Sequence, residues 1–514
     1  MAIRKYILMI GLVLCGTFLS RDAYDRALTS RHIIWCVLTL GLFISLLRYT
    51  DLSILKERFF VFAGIFFLCA VVSGFFAVNK SEWLYSVLRI GLFVTTVFVF
   101  ASILKDEMEL AKVIVLLGFF YFLYGQYEFI SNSAYNCKGL MCNKNPWSTA
   151  QFLCLPFCVY LIKEKGFWRW LSITVGLGLL ANIFVLTTRS VVLAVGISVL
   201  CLIQRRTLKY IIPILIVAGA YLLMFKWIYI IDTVSMTERW QAWRATLTMI
   251  YENPLGVGAG NWCLMLFKYG QNLDFKFFQS NIFRHPHNDF IWILAEVGVI
   301  GFVGYLGMFF TSLYYAIKSK KQWLVAGIMG YMALAFFSFP NERAFSSMIL
   351  AVFMALSIAG YHKIPKRSYI PNMGVFRMAS VNIVLMLCLF LVVLGYRHRS
   401  LINNKKLRES KQWEKIIDFS DGFSPFSTLT FTGVPYHWFK GVAYNKTGDP
   451  VEALVCFREA QKYSPYNVHV LNALGLSYSY DKEKADRYFA KAIGICPVFD
   501  IAINNRKKIK ESKK

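Results

Sequence analysis

The residues with most chemistry to offer lie between Arg284 and Gly307, which read RHPHNDFIWILAEVGVIGFVGYLG. A cation, two imidazoles and an amide give way within five residues to an apolar run holding one carboxylate, Glu296. Such a junction looks like an active-site rim. Imidazole titrates near neutrality, so His287, or His285 in its place, can accept a proton from an attacking hydroxyl or donate a hydrogen bond to an anion. Arg189 and Arg239 carry guanidinium groups that stay charged and fork onto phosphate oxygens, with Arg284 as a reserve. Plainer readings stay open: a loop histidine need not be catalytic, and Arg189 also suits an anchor that snorkels to the lip of a bilayer.

The elements that must position these groups are legible in outline. Pro286 keeps His285 extended, and Asn288 or Asp289 can cap the helix that follows, leaving His287 at its mouth. Glu296 lies nine residues further on, about 13.5 Å of helical rise and half a turn out of phase. It cannot bond to His287 and needs a protein partner or a wet cavity inside its apolar segment. Gly298, Gly301, Gly304 and Gly307 form a ridge that admits a neighbouring helix. Arg189 follows Thr187-Thr188 in an interruption of the apolar stretch 168–203, which predicts an outer hairpin. Arg239, Trp243 and Met249 fit a helix lying on the membrane with its aromatics at the headgroup level. Gly256, Gly258 and Gly260 could turn backbone N–H groups toward an anion; tight turns explain them equally well.

Composition sets the surroundings. With 57% hydrophobic residues among 514 and a mean hydropathy of +0.50, the chain is too apolar for a soluble protein. It reads as an all-α polytopic membrane protein of about 12–13 spans, at 1–20, 33–48, 59–77, 84–104, 109–130, 149–162, 168–186, 190–204, 210–230, 290–317, 322–339, 344–361 and 376–396. The net charge of +27 resides largely in short loops between spans, so it argues for membrane lipid and against nucleic acid. Lys and Arg bias puts the amino terminus inside; the loop at about 231–289, with His287, and everything after 397 then fall outside the cytoplasm. Twelve scattered cysteines act as small buried residues, except that Cys137 and Cys142 share a loop where a disulfide is possible. No spacing of Cys or His suits zinc, and no metal or other cofactor is expected.

The pattern of His287, Asn288, Ile291, Glu296, Gly298 and Gly301 resembles the signature of the O-antigen ligase/polymerase superfamily. Arg239 and Trp243 with the glycines after Pro254 resemble its loop segment, and Thr188-Arg189 its earlier arginine motif. The resemblance covers about 170–310. It implies a glycosyltransferase that takes a glycan from a polyprenyl diphosphate carrier, inverting and metal-independent, at the outer face of the cytoplasmic membrane of a bacterium. It also implies functional roles for His287, Arg239 and Arg189, taken here as catalytic. Around them Arg284, His285, Asn288 and Trp243 are expected to bind substrate, and Glu296, Gly298 and Gly301 to be structural beside the site. Lipid A-core, another lipid-linked glycan or a protein could be the acceptor, the first making a ligase, the second a polymerase, the third an oligosaccharyltransferase. A reading of another class, a non-catalytic glycan or lipid transporter, predicts inverted repeats and paired broken helices.

Two domains are expected: a transmembrane unit over 1–396 and an extracytoplasmic helical unit over 397–514. In the second, Gly441, Tyr444, Ala453, Phe457, Ala460 and Pro465 stand at tetratricopeptide positions. Leu474, Gly475, Tyr478, Ala485, Phe489, Ala492 and Pro497 repeat them. Such hairpins offer a groove to a protein partner, or simply cap the outer loop.

Overall fold

The computed structural model describes residues 2–21, 25–47, 52–104, 107–131, 137–203, 234–272, 284–362, 373–409, 412–421, 424–430 and 433–511. Each long apolar run among the described residues forms a helix, because in lipid only internal hydrogen bonding satisfies the backbone. In chain order these are α1 (Ala2–Thr17), α2 (Thr29–Leu46), α3 (Arg58–Val72), α4 (Lys80–Ile103), α5 (Met108–Ser131), α6 (Lys144–Leu161), α7 (Phe167–Leu186) and α8 (Arg189–Leu202). After the loop helices α9 (Val234–Glu252) and α10 (Trp262–Leu266) come α11 (Asp289–Lys318), α12 (Gln322–Phe337), α13 (Ala344–Tyr361) and α14 (Met373–Glu409). Eight of them are long and apolar enough to cross a bilayer: α2, α3 with its continuation to Phe75, α4, α5, α7, α11, α13 and α14. The remaining expected spans coincide with the shorter or more polar α1, α6, α8 and α12, except 210–230, which lies outside the described residues.

The loops sort to two ends of the bundle as alternate crossing requires. At one end Arg343 pairs with Asp25 at 3.0 Å, Arg31 donates to the Leu140 carbonyl at 2.6 Å, and Arg397 pairs with Glu82 at 2.7 Å. At the other, His362 meets Glu57 and Lys321 meets Glu107, both at 2.7 Å. The histidine loop belongs to the first end. Cys137 and Cys142, in the loop before α6, stand as two thiols rather than a disulfide.

Helix α11 packs along α3, and the glycine ridge is the reason: a Cβ at Gly304 would sit 2.7 Å from the Phe66 nitrogen and one at Gly307 2.2 Å from the Phe62 ring. Gly298 does something else. Its φ of +73° and ψ of −179° break α11 between two helical halves.

The expected boundary at 396/397 falls inside α14, a continuous 37-residue helix that runs out of the apolar bundle. Beyond it lie α15 (Trp413–Asp421), α16 (Tyr436–Thr447), α17 (Pro450–Tyr463), α18 (Val468–Ser477), α19 (Lys482–Ile495) and α20 (Asp500–Glu511). Gly441 against Phe457 and Gly475 against Phe489 give the successive pairs α16–α17 and α18–α19 the same close contact. These helices share one apolar core with α9 and the loop after it, through Met249, Trp262, Leu429, Phe457 and Phe489.

Candidate active site

The candidate groups gather at one end of the bundle, at the starts of α8 and α11 and along α9. Thr187 turns with φ of +51°, and Arg189 opens α8. Helix α9 carries Arg239 and, one turn later, Trp243, which lie on one face. The Trp243 indole donates to the Pro286 carbonyl at 2.6 Å and packs on Phe336 at the end of α12. This bond ties α9 to the histidine loop. Arg239 therefore sits beside His287; its Nη1 donates to the Phe337 carbonyl at 3.4 Å, while its buried Nε finds no acceptor.

Burial and the neighbouring charge of Arg189 both weaken the hold of Arg239 on its proton, with Glu238 opposing them. Two cations thus crowd one another, as they do where an anion is to be received. His287 adjoins them. Its backbone is left-handed, φ +56°, which swings the chain so that Asn288 can cap α11. Burial first, then Arg239 and His285, push its pKa down from 6.5 to about 3. The imidazole is neutral across ordinary pH and can donate to an oxyanion or accept from a hydroxyl. Arg189, Arg239 and His287, widely separated in sequence, form one electrostatic neighbourhood.

The other sequence candidates divide differently. His285 Nε2 donates to Glu342 Oε2 at 2.7 Å, and its ring lies 4.6 Å from Trp292 and 4.9 Å from Phe339. Arg284 stands among the carboxylates of Glu82 and Glu342, which outweigh the effect of burial and raise its pKa. Both belong to a buried ionic layer. Asn288, expected to bind substrate, is instead 2% exposed and spends its Oδ1 on the N–H groups of Phe290 and Ile291. That corrects its role to capping. Sequence reading missed Glu342 and Phe339, whose only signal was a Pro-Asn-Glu-Arg break between two apolar runs, and passed over Trp292 inside the histidine stretch itself.

Glu296 has the partner its burial demanded. It accepts from Gly260 N at 2.7 Å, Trp262 N at 3.1 Å and the Trp292 indole at 2.7 Å. The loop backbone enters the break in α11: Val257 N donates to Ala295 O, Gly258 N to Glu296 O, and Val299 N to Pro254 O, all within 3.0 Å. Positive φ at Gly256, Gly258 and Gly260 permits this path, and a Cβ at Gly256 would lie 2.4 Å from the Glu296 carbonyl. The glycine N–H groups are thus spent inside the protein, and the anion-nest reading falls to the tight-turn one. Helix α9 also differs from a plain surface helix. Ala242, Ala245 and Met249 are fully buried against protein, while Trp240, Leu247 and Tyr251 face outward.

Among the described residues, no group of three or more His, Cys, Asp or Glu side chains has metal-binding geometry. No curated protein matches the chain. The model of the family described as O-Antigen ligase matches residues 174–306, from α7 through the break in α11, spanning Arg189, Arg239, His287 and Glu296. That match supports a place in the O-antigen ligase superfamily for the segment 174–306, which is carried in a multi-pass helical fold.

Proposed function

We propose that the protein is a membrane glycosyltransferase that moves a glycan from a polyprenyl diphosphate carrier to an acceptor hydroxyl, lipid A-core in the first instance, at the non-cytoplasmic face of the cytoplasmic membrane. One observation carries the reading: Arg239 of α9 shares its surroundings with Arg189 on one side and a neutral His287 on the other, and the hydrogen bond from Trp243 to Pro286 ties α9 to the histidine loop. In the reaction the acceptor oxygen attacks the anomeric carbon and the bond to the diphosphate breaks with inversion. Negative charge grows on the departing polyprenyl diphosphate, and Arg189 and Arg239 take it up, so no metal ion is called on. The hydroxyl proton passes to His287, or His287 donates to the diphosphate and solvent takes the proton.

The transporter reading asks for broken helices that leave backbone free around a cargo. The break in α11 is instead filled by the loop 254–260, whose N–H groups close it. This favours a fixed scaffold for chemistry.

The carboxy-terminal hairpins are read as tetratricopeptide-like, a unit that steadies the outer loop and offers a groove to a protein partner. Asn79 at the head of α4 donates to Thr428 and Tyr463 of that unit and exchanges bonds with Asn261. The test is transfer by protein in lipid vesicles, given lipid diphosphate glycan and separate lipid A-core, glycan and peptide acceptors. Wild type is expected to form product with lipid A-core, and His287→Ala to fold and form none. Undiminished product from that variant removes His287 from the mechanism; product with another acceptor alone replaces the ligase by the polymerase or the oligosaccharyltransferase.

A further inference from the structure

The short turn between α12 and α13, Phe339 to Arg343, lies outside the matched segment and yet forms one wall of the histidine loop. Phe339 is the wedge: its ring centroid is 4.9 Å from both imidazoles, at 30° to His285 and 75° to His287. The turn is bolted on three sides. Asn341 N donates to Asp289 Oδ2 at 3.1 Å, the Ser347 hydroxyl to Asn341 O at 3.0 Å, and Arg343 to Asp25 at 3.0 Å. Glu342 is 7% exposed, and its carboxylate has His285 Nε2 at 2.7 Å. His285 also packs on Trp292 with the rings tilted by 50°; Arg89 of α4 covers that indole at 5.7 Å, and the indole N–H donates to Glu296.

We propose that Glu342 is a positioning residue of the transfer site, holding His285 in the Nε2–H tautomer and so fixing, through Phe339, the place of His287. The proposal rests on the transferase reading for its consequence but not for its geometry. A carboxylate that accepts from one ring nitrogen sets which nitrogen carries the proton and how the ring is turned. Here it leaves His285 Nδ1 unprotonated, which suits a buried atom that has no hydrogen-bond partner. Burial alone would push the Glu342 carboxyl up, but the hydrogen bond from His285 and the charges of Arg343 and Arg284 hold it well below the usual carboxylate range. His285 in turn stays neutral through burial, against the pull of Glu342. Without the carboxylate the ring is free to turn over, and Arg284 and Arg343 lose an anion from between them.

Two measurements test this. Histidine side-chain 15N spectra of the whole protein in nanodiscs, with no substrate present, report the tautomer. His285, assigned by its loss in His285→Asn, is expected as the Nε2–H form in wild type and as a mixture in Glu342→Gln. An unchanged tautomer in that variant overturns the proposal, whether or not transfer is ever observed. Kinetics then ask whether the tautomer matters. Glu342→Gln is expected to lower kcat roughly ten- to a hundredfold with the donor KM within about threefold. Combined with His285→Asn it should add nothing further, because the two act as one unit. Independent, multiplying losses overturn the coupling, and a wild type that transfers nothing overturns the transferase reading alone. If Glu342→Gln does not fold, Glu342→Asp, which keeps the charge on a shorter arm, carries the same spectra and the same cycle.

Discussion

His285 and His287 stand two positions apart on one loop, and the first meets a carboxylate while the second meets cations. The arginines divide the same way. Arg284 has Glu82 and Glu342 beside it; Arg239 has Arg189 beside it, and its buried Nε has no acceptor. A charge already neutralised inside the protein organises structure, whereas like charges held together, with burial against them, are set for an anion that arrives later. Two substitutions of the same kind should therefore break different things. Arg239→Gln is expected to leave the fold intact and to cut transfer by roughly a hundred- to a thousandfold, the scale of losing one donor to transition-state charge. Arg284→Gln should strip a cation from two buried carboxylates and cost about 3–5 kcal/mol of stability, read as a lower melting temperature in detergent. If Arg284→Gln melts like wild type while transfer vanishes, the division is wrong and Arg284 joins the anion site.

The two glycine sets sharpen the same contrast between scaffold and site. Gly304 and Gly307 let α3 lie close, while Gly298 lets the loop into α11. Gly298→Ala combines a positive φ with a Cβ 2.5 Å from the Leu255 backbone. It should cost on the order of 3 kcal/mol and loosen 254–260, seen as faster amide exchange at Val257 and Gly258.

Much of this was written locally. The Asn288 cap, the turn at Thr187-Thr188-Arg189 and the shared face of Arg239 and Trp243 follow from neighbours within one or two turns, and sequence shows such neighbours. The burial of Glu296 was legible too, since a carboxylate in an apolar run must be paired. Its partners were not, because Gly260 and Trp262 lie more than thirty residues back and donate from the backbone, which carries no residue code. The same holds for Glu342 and for the pair Arg397–Glu82, joined only by the packing of α14 on α4. For Asn288 the sequence offered both a cap and a ligand, because one amide suits either until its oxygen is seen to be engaged.

The pH dependence of His287 turns the comparison into a titration. Its folded pKa is about 3 against 6.5 in the unfolded chain, so between those values the unfolded state binds the extra proton. Stability contributed by this residue is present above pH 6.5 and is lost as pH falls, by about 2 kcal/mol at pH 5. His287→Gln should remove that acid sensitivity, measured as the difference in melting temperature between pH 7.5 and pH 5. Binding of a diphosphate places negative charge beside the ring and raises its pKa. If His287 contacts the diphosphate, donor binding should take up a proton and tighten as pH falls, an effect absent from the Gln variant.

The smallest expected effect probes how the two halves are held in register. Trp243→Phe keeps an aromatic ring against Phe336 and deletes only the indole donor to the Pro286 carbonyl. One neutral hydrogen bond is worth about 1 kcal/mol, so the melting temperature should fall by only a few degrees. Transfer should fall several-fold, more than that loss of stability explains, because the bond sets the distance from Arg239 to His287 rather than the fold. The sign of the KM change then separates two roles. A higher donor KM with kcat intact means that Trp243 aligns groups already engaged by the bound donor. A lower kcat with KM unchanged means that the alignment is needed only as the diphosphate departs, which is where a site of two arginines and a neutral histidine gains most.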